Sequence, residues 1–277
     1  MRRSLTPYGL LRTVLIVVAV IATLLPVLVT LVTSFKIPRS IIAGTWFSTP
    51  TFQNYAALFT GSGNFLRLTG NSLIASLGST LIIIVVASLA AYSLTRFRWP
   101  KAWTVTVIAL LLFVQMLPPI VFVGPFYLIS RNLGIYDTPL ALIMAYMVLN
   151  LPLAVFILRN FFADVPRELE DAAAVDGATR LGTFTRIVLP ITTPGIAATG
   201  ILTFIFAWND FLFALSLTTT PRGMTIPVGV ANFAQNYQIL YGNLTASAIY
   251  AAVPAIVLVV FAQRYITKGL ALGAVKG

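Results

Sequence analysis

The sequence of 277 residues is 58% hydrophobic and only 9% charged, with a mean hydropathy of +0.94, against roughly 25% charged residues in soluble globular domains, so an ordinary soluble domain is excluded and the lipid bilayer is the first expected partner. The net charge of +11 would suggest nucleic acid in a soluble protein, but in a membrane chain it sets topology through the loops, and no nucleic-acid partner is expected. With neither Cys nor His, disulfides, thiolate metal sites, haem ligation and imidazole acid–base chemistry are excluded together, and no metal site is expected.

Six windows of about 20 mostly apolar residues are each long enough to cross a hydrocarbon core of about 30 Å as a helix. They lie near 13–34, 71–94, 102–123, 138–158, 191–214 and 243–263 and predict an all-α polytopic protein, one transmembrane domain over 1–277. If the N-terminus is cytoplasmic, thirteen of the eighteen basic residues face inward, leaving Lys36, Arg39, Arg67, Arg131 and Arg222 outside. The positive-inside bias therefore predicts that both termini are cytoplasmic.

Arg2, Arg3 and Arg12 ahead of the apolar run from Val14 to Val32 imitate a signal peptide, but the run is long and carries no Ala-x-Ala site, so a retained first span is expected. The connection Lys36–Thr69 is the longest polar one outside the membrane, with Trp46, Phe47 and Tyr55 as interfacial aromatics. In span two, Ala75, Ser79, Ala87 and Ala91 form pairs four residues apart that let helices approach closely in lipid. The turn Arg96-Phe-Arg-Trp-Pro-Lys101 is short and basic, as a cytoplasmic hairpin should be.

Span three reaches Gln115-Met-Leu-Pro118-Pro119, where paired prolines must kink the backbone, something tolerated where it is buried or lines a cavity. Gln115, and Asn150 just before Pro152 in span four, each have two readings: translocation path or interhelical hydrogen bond.

The loop before span five is a polar island: between Asp164 and Arg186 lie five of the seven acidic residues of the chain. Pro166 suits a first helical turn, Glu168, Glu170 and Asp171 favour the positive end of the dipole, and Gly177 supplies a stop. Leu169, Ala172, Ala173 and Asp176 are spaced i, i+3, i+4, i+7 on one face, nearly bare of bulk. By themselves these residues fit a solvated amphipathic helix or a docking surface for another protein.

Span five runs into Trp208-Asn209-Asp210-Phe211. An acid at bilayer depth calls for a role or a partner. About 30 Å beyond Pro190 at 1.5 Å per residue, Asp210 is placed near the outer interface, where it is either water-reachable or pore-facing. Thr218–Tyr241 reads as an external loop, and span six carries Pro254.

Glu168-Leu-Glu-Asp-Ala-Ala-Ala-Val-Asp-Gly-Ala178 followed by Ile187-Val-Leu-Pro190 resembles the EAA motif of ABC importer permeases, the cytoplasmic loop that docks on the ATPase subunit. The acid opening the Glu-Ala-Ala triplet is Asp171 here, which keeps the charge on a shorter side chain. The resemblance implies a type I ABC importer permease fold of six transmembrane helices, with a coupling loop over 160–190. Its ATPase-coupling residues would be Glu168, Glu170, Asp171, Ala172, Ala173, Asp176, Gly177, Ile187, Leu189 and Pro190. The tetrad from Trp208 resembles the end of the fifth span in carbohydrate importer permeases, which would place Trp208, Asn209 and Asp210 along the translocation path with Gln115 and Asn150. The tail from Gly269 to Lys276 and Gly277 is similar to that of maltose-type permeases, where it lies against the ATPase dimer.

The function implied by the resemblance is that of a permease subunit of a sugar importer in the bacterial inner membrane, for a disaccharide or oligosaccharide such as trehalose or maltose, working by alternating access. Its implied partners are a second homologous permease subunit, two ATPase subunits that bind ATP and Mg, and an extracytoplasmic sugar-binding protein. No Gly-x4-Gly-Lys-Ser/Thr sequence is present in this chain, so no cofactor or ATPase site of its own is expected. A secondary transporter or channel is the alternative, and it has only Asp210 to offer as a titratable group at depth. An embedded enzyme has little chemistry available.

Overall fold

The computed structural model describes residues 7–46, 48–60, 64–234 and 239–274, with side chains from Tyr8 to Phe261 within those ranges. In chain order the α-helices are α1 (Pro7–Ser34), α2 (Pro38–Ile42), α3 (Gln53–Thr60), α4 (Phe65–Arg96), α5 (Lys101–Met116), α6 (Val123–Asn132), α7 (Pro139–Ala163), α8 (Arg167–Val175), α9 (Arg180–Thr183), α10 (Leu189–Trp208), α11 (Leu212–Leu217), α12 (Ile226–Ala231) and α13 (Tyr241–Ala274). Among the described residues, five helices are long and apolar enough to cross a membrane, and one bent pair of helical segments meets the same criterion taken together.

That bent pair revises the third expected span. Instead of a helix over 102–123, α5 stops at Met116 and the next helical segment departs at 100°. The cause is the proline pair. A residue before proline is pushed out of the α region, and both Leu117 (ψ 134°) and Pro118 (ψ 133°) are extended in turn. The fifth expected span, 191–214, likewise ends early: α10 stops at Trp208, and Asn209, Asp210 and Phe211 separate it from α11.

Packing divides the chain into two compact units, 1–65 with 229–252 and 66–228 with 253–277. In the first, buried Asn54 staples α3 to the end of α1, its amide donating to the carbonyls of Ser34 (2.8 Å) and Lys36 (2.9 Å). Phe65 packs there on Phe233 and Tyr250. Helix α1 is apolar on all sides, and none of its spanning window is buried, the condition of a helix facing lipid or another subunit.

The second unit holds both hydrophobic clusters. One gathers Leu142, Tyr146, Phe213 and Leu217, and the other Ile83, Leu158, Phe162 and Val188. The small residues of α4 do what their spacing predicts: Ala75, Ser79, Ala87 and Ala91 are all essentially inaccessible. Gly195 serves α10 in the same way, since a methyl group there would run into the ring of Phe161 on α7.

Candidate functional site

Helix α8 is short, and its ends are sealed by local chemistry. Pro166 stands just before the first helical residue rather than within the first turn, with ψ 133°. At the other end Gly177 has φ +81°, a conformation that costs an L side chain about 1–2 kcal/mol. It permits the amides of Gly177 and Ala178 to donate to the carbonyls of Ala174 (3.1 Å) and Ala173 (2.9 Å), a Schellman pair that satisfies the orphaned carbonyls.

The face expected to act together is split. Ala173 is buried, whereas Leu169, Ala172 and Asp176 are exposed. Glu170, expected among the docking acids, turns inward. Its carboxylate pairs with the Arg96 guanidinium and accepts the Tyr92 hydroxyl at 2.8 Å, and Arg96 also donates to the carbonyl of Val165 at 2.7 Å. Both charged side chains are largely buried, so Glu170 holds α8 on the end of α4 and has no charge left for a docking partner. Arg167 adds a bond to the carbonyl of Thr95 (3.1 Å).

The outward surface includes Glu168, Leu169, Asp171, Ala172, Val175 and Asp176. Val175 is 88% exposed, an apolar contact that sequence reasoning passes over, although a lone valine in an acidic helix is the available signal. Ile187 and Leu189 are half-buried and Pro190 is exposed, while their neighbour Val188 is in the core. A π-helical turn, Phe184–Val188, precedes Pro190, whose missing N–H removes the α-type bond to the carbonyl of residue 186.

At the far end of α7 and α10 a second cavity, of about 430 Å³, brings together Gln115, Asn150, Asn209 and Asp210 with Phe206 and Tyr146. Four of the five residues expected on the path thus share one space. Trp208 does not line it: the indole is 3% exposed and stacks on Phe204 at 5.7 Å, because one residue along a helix turns the side chain by 100°. Asp210 accepts from the Tyr146 hydroxyl (3.1 Å) and from the amides of Phe213 (3.1 Å) and Ala214 (3.2 Å), capping the start of α11. Asn150 and Asn209 bond back to carbonyls of their own turns, Tyr146 at 3.0 Å and Ile205 at 2.9 Å, which leaves their amide oxygens for a ligand.

The loop after α11 has its own anchor. Asp137 accepts from the amides of Thr219 (2.8 Å) and Thr220 (3.0 Å) and from the Thr220 hydroxyl (2.5 Å). Burial pushes its carboxyl up, but those hydrogen bonds and the nearby Arg222 charge outweigh burial and hold it below the ordinary value of 3.8. Asn71 donates to the carbonyls of Pro221 and Met224, and the Ile226 amide to Ser72. The expected contacts of Lys276 and Gly277 lie outside the described residues.

Residues 83–271 match the family described as "binding-protein-dependent transport system inner membrane component". The chain belongs to that family. The permease is 40% identical over 261 residues to the trehalose transport system permease protein SugB of Mycobacterium tuberculosis, covering 92% of this chain and 93% of that one. It is 35% identical to the trehalose/maltose transport system permease protein MalG of Thermococcus litoralis, with 82% of each covered. Among solved structures, a bacterial ABC transporter that imports the acidic polysaccharide alginate matches with a TM-score of 0.77 over 96% of the permease and 98% of that chain, at 20% identity. At that identity the likeness is one of fold, the permease fold of an ABC importer.

Proposed function

We propose that this permease carries a disaccharide of the trehalose or maltose type across the cytoplasmic membrane, driven by ATP that two separate ATPase subunits bind with Mg and hydrolyse. It works beside a second permease subunit and receives sugar from an extracytoplasmic binding protein. The names of its relatives support the substrate class, and the cavity supports the chemistry: amide and carboxylate groups for hydroxyls, with Phe206 and Phe211 for the apolar faces of a sugar ring. Both termini and α8 face the cytoplasm in this reading, which the Lys/Arg bias of the loops supports.

The observation that carries the mechanism is the clamp of α8 on α4 through Glu170. A helix fastened on one side and presenting Ala172, Val175, Asp176 and Gly177 on the other, with the exposed Asp171 at the border between the two faces, can pass a partner's movement to the spanning helices. Ile187, Leu189 and Pro190, where α10 begins, receive that movement, and alternating access results as the cavity opens to one side and then the other. Glu168, at the exposed start of α8, complements the helix dipole.

The test is purification of the tagged permease from its own membranes, then uptake of trehalose and maltose by proteoliposomes. An ATPase should co-purify, and ATP should drive uptake of one sugar or both. Asp171→Lys should abolish uptake with insertion intact. Sugar movement by the isolated chain without ATP would overturn the proposal.

A further inference from the structure

We propose that the arginine-lined cleft beside α8 binds the phosphate of an anionic phospholipid, so that the coupling helix rests on a lipid headgroup. The proposal builds on the cytoplasmic placement of α8 and adds a ligand to it. A cleft of about 670 Å³ lies between α8 and the end of α4, lined by Arg96, Arg98, Arg167 and Arg180 with Glu170 and Asp171. Four guanidinium charges against two carboxylates leave a surplus of two, and Glu170 is already engaged by Arg96. Asp171 is thus the one carboxylate of the lining left for Arg98, Arg167 and Arg180. Arg180 lies over the ring of Phe97 at 5.3 Å, a contact that holds the guanidinium in the cleft lining. A planar fork of that kind suits a phosphate better than a point charge does.

A second observation identifies the phosphate's carrier. On the same Phe97–Pro100 turn, an apolar groove of about 330 Å³ is lined by Ala90, Leu94, Trp99, Trp103 and Val107. Trp99 and Trp103 are 51% and 65% exposed, and the Trp99 indole is held by donating to Ser93 Oγ at 3.0 Å. Exposed tryptophans beside cations mark the membrane–water boundary, and clustered Arg and Lys just beyond a spanning helix attract anionic lipid. A soluble anion would use the arginines alone, whereas a phospholipid uses the cleft for its headgroup and the groove for an acyl chain.

The test exchanges the whole transporter, with its ATPase, into nanodiscs of phosphatidylcholine containing phosphatidylglycerol, and reads retained lipid by native mass spectrometry. Wild type should retain phosphatidylglycerol; Arg98→Gln with Arg180→Gln should lose it several-fold, Arg98→Gln alone less so, and the exposed Arg39→Gln not at all. Trp103→Ala should weaken lipid retention while leaving the response to inorganic phosphate unchanged. Equal retention by wild type and the glutamine variants overturns the site. Inorganic phosphate that binds the delipidated complex and resists displacement by phosphatidylglycerol overturns the lipid assignment. ATPase co-purification is scored in the same samples: its absence from wild type counts against the transport mechanism, whereas its presence without a lipid difference counts against the cleft alone.

Discussion

Two carboxylates in this permease each meet a tyrosine hydroxyl, and they are held in opposite ways. Glu170 receives Tyr92 at 2.8 Å and also the full positive charge of Arg96. Asp210 receives Tyr146 at 3.1 Å and two backbone amides, with no cation among those partners. The first arrangement ties two helices together across the chain. The second orients a carboxyl group at a cavity wall with a hydroxyl and two backbone amides only. One end ties helices together through charge, and the other presents a carboxylate to a cavity.

The largest expected effect breaks the fixed end. Glu170→Ala leaves the Arg96 guanidinium in a largely buried place without its partner, a loss of about 3 kcal/mol. Uptake should fall at least tenfold, and the swap Arg96→Glu with Glu170→Arg should restore part of it. Wild-type uptake by Glu170→Ala would show that α8 needs no clamp.

At the ligand end, Asp210→Leu strands the amides of Phe213 and Ala214, at a cost of about 2 kcal/mol. Asp210→Asn keeps an acceptor for them and removes only the charge. If the charge serves the cavity, the asparagine variant should keep its thermal midpoint and change the KM for sugar; identical kinetics would reduce Asp210 to a helix cap.

A smaller effect, about 1–2 kcal/mol, is expected for Gly177→Val, which forces a β-branched side chain into positive φ. The yield of co-purified ATPase should drop while insertion stays normal. Smallest is the response of the 218–224 loop to acid. The folded Asp137 carboxyl titrates below the ordinary 3.8, so its stabilisation is complete above that value and is lost as pH falls through the lowered one. Hydrogen exchange of 218–224 should quicken only in that acid window, and Asp137→Asn should flatten the response.

The sequence displays what depends on neighbours in the chain. The small residues of α4, the stop at Gly177 and the break at Pro118-Pro119 are local steric facts, visible as spacing and residue type. The inward turn of Glu170 is not legible in this way, because its partners Tyr92 and Arg96 lie 78 and 74 residues away, and no periodicity reports such a meeting. Tyr146 escapes notice for the same reason, 64 residues from Asp210. Trp208 is grouped with its neighbours by proximity in the chain, although consecutive helical positions point in different directions.

The bite of Phe161 into the bare backbone at Gly195 leaves no slack between α7 and α10, and side chains interlocked so closely do not slide past one another. We expect these two rods to move together. Whatever reshaping the cavity undergoes during a cycle then falls on its two unwound joints, Leu117–Pro118 on one wall and Asn209–Phe211 on the other.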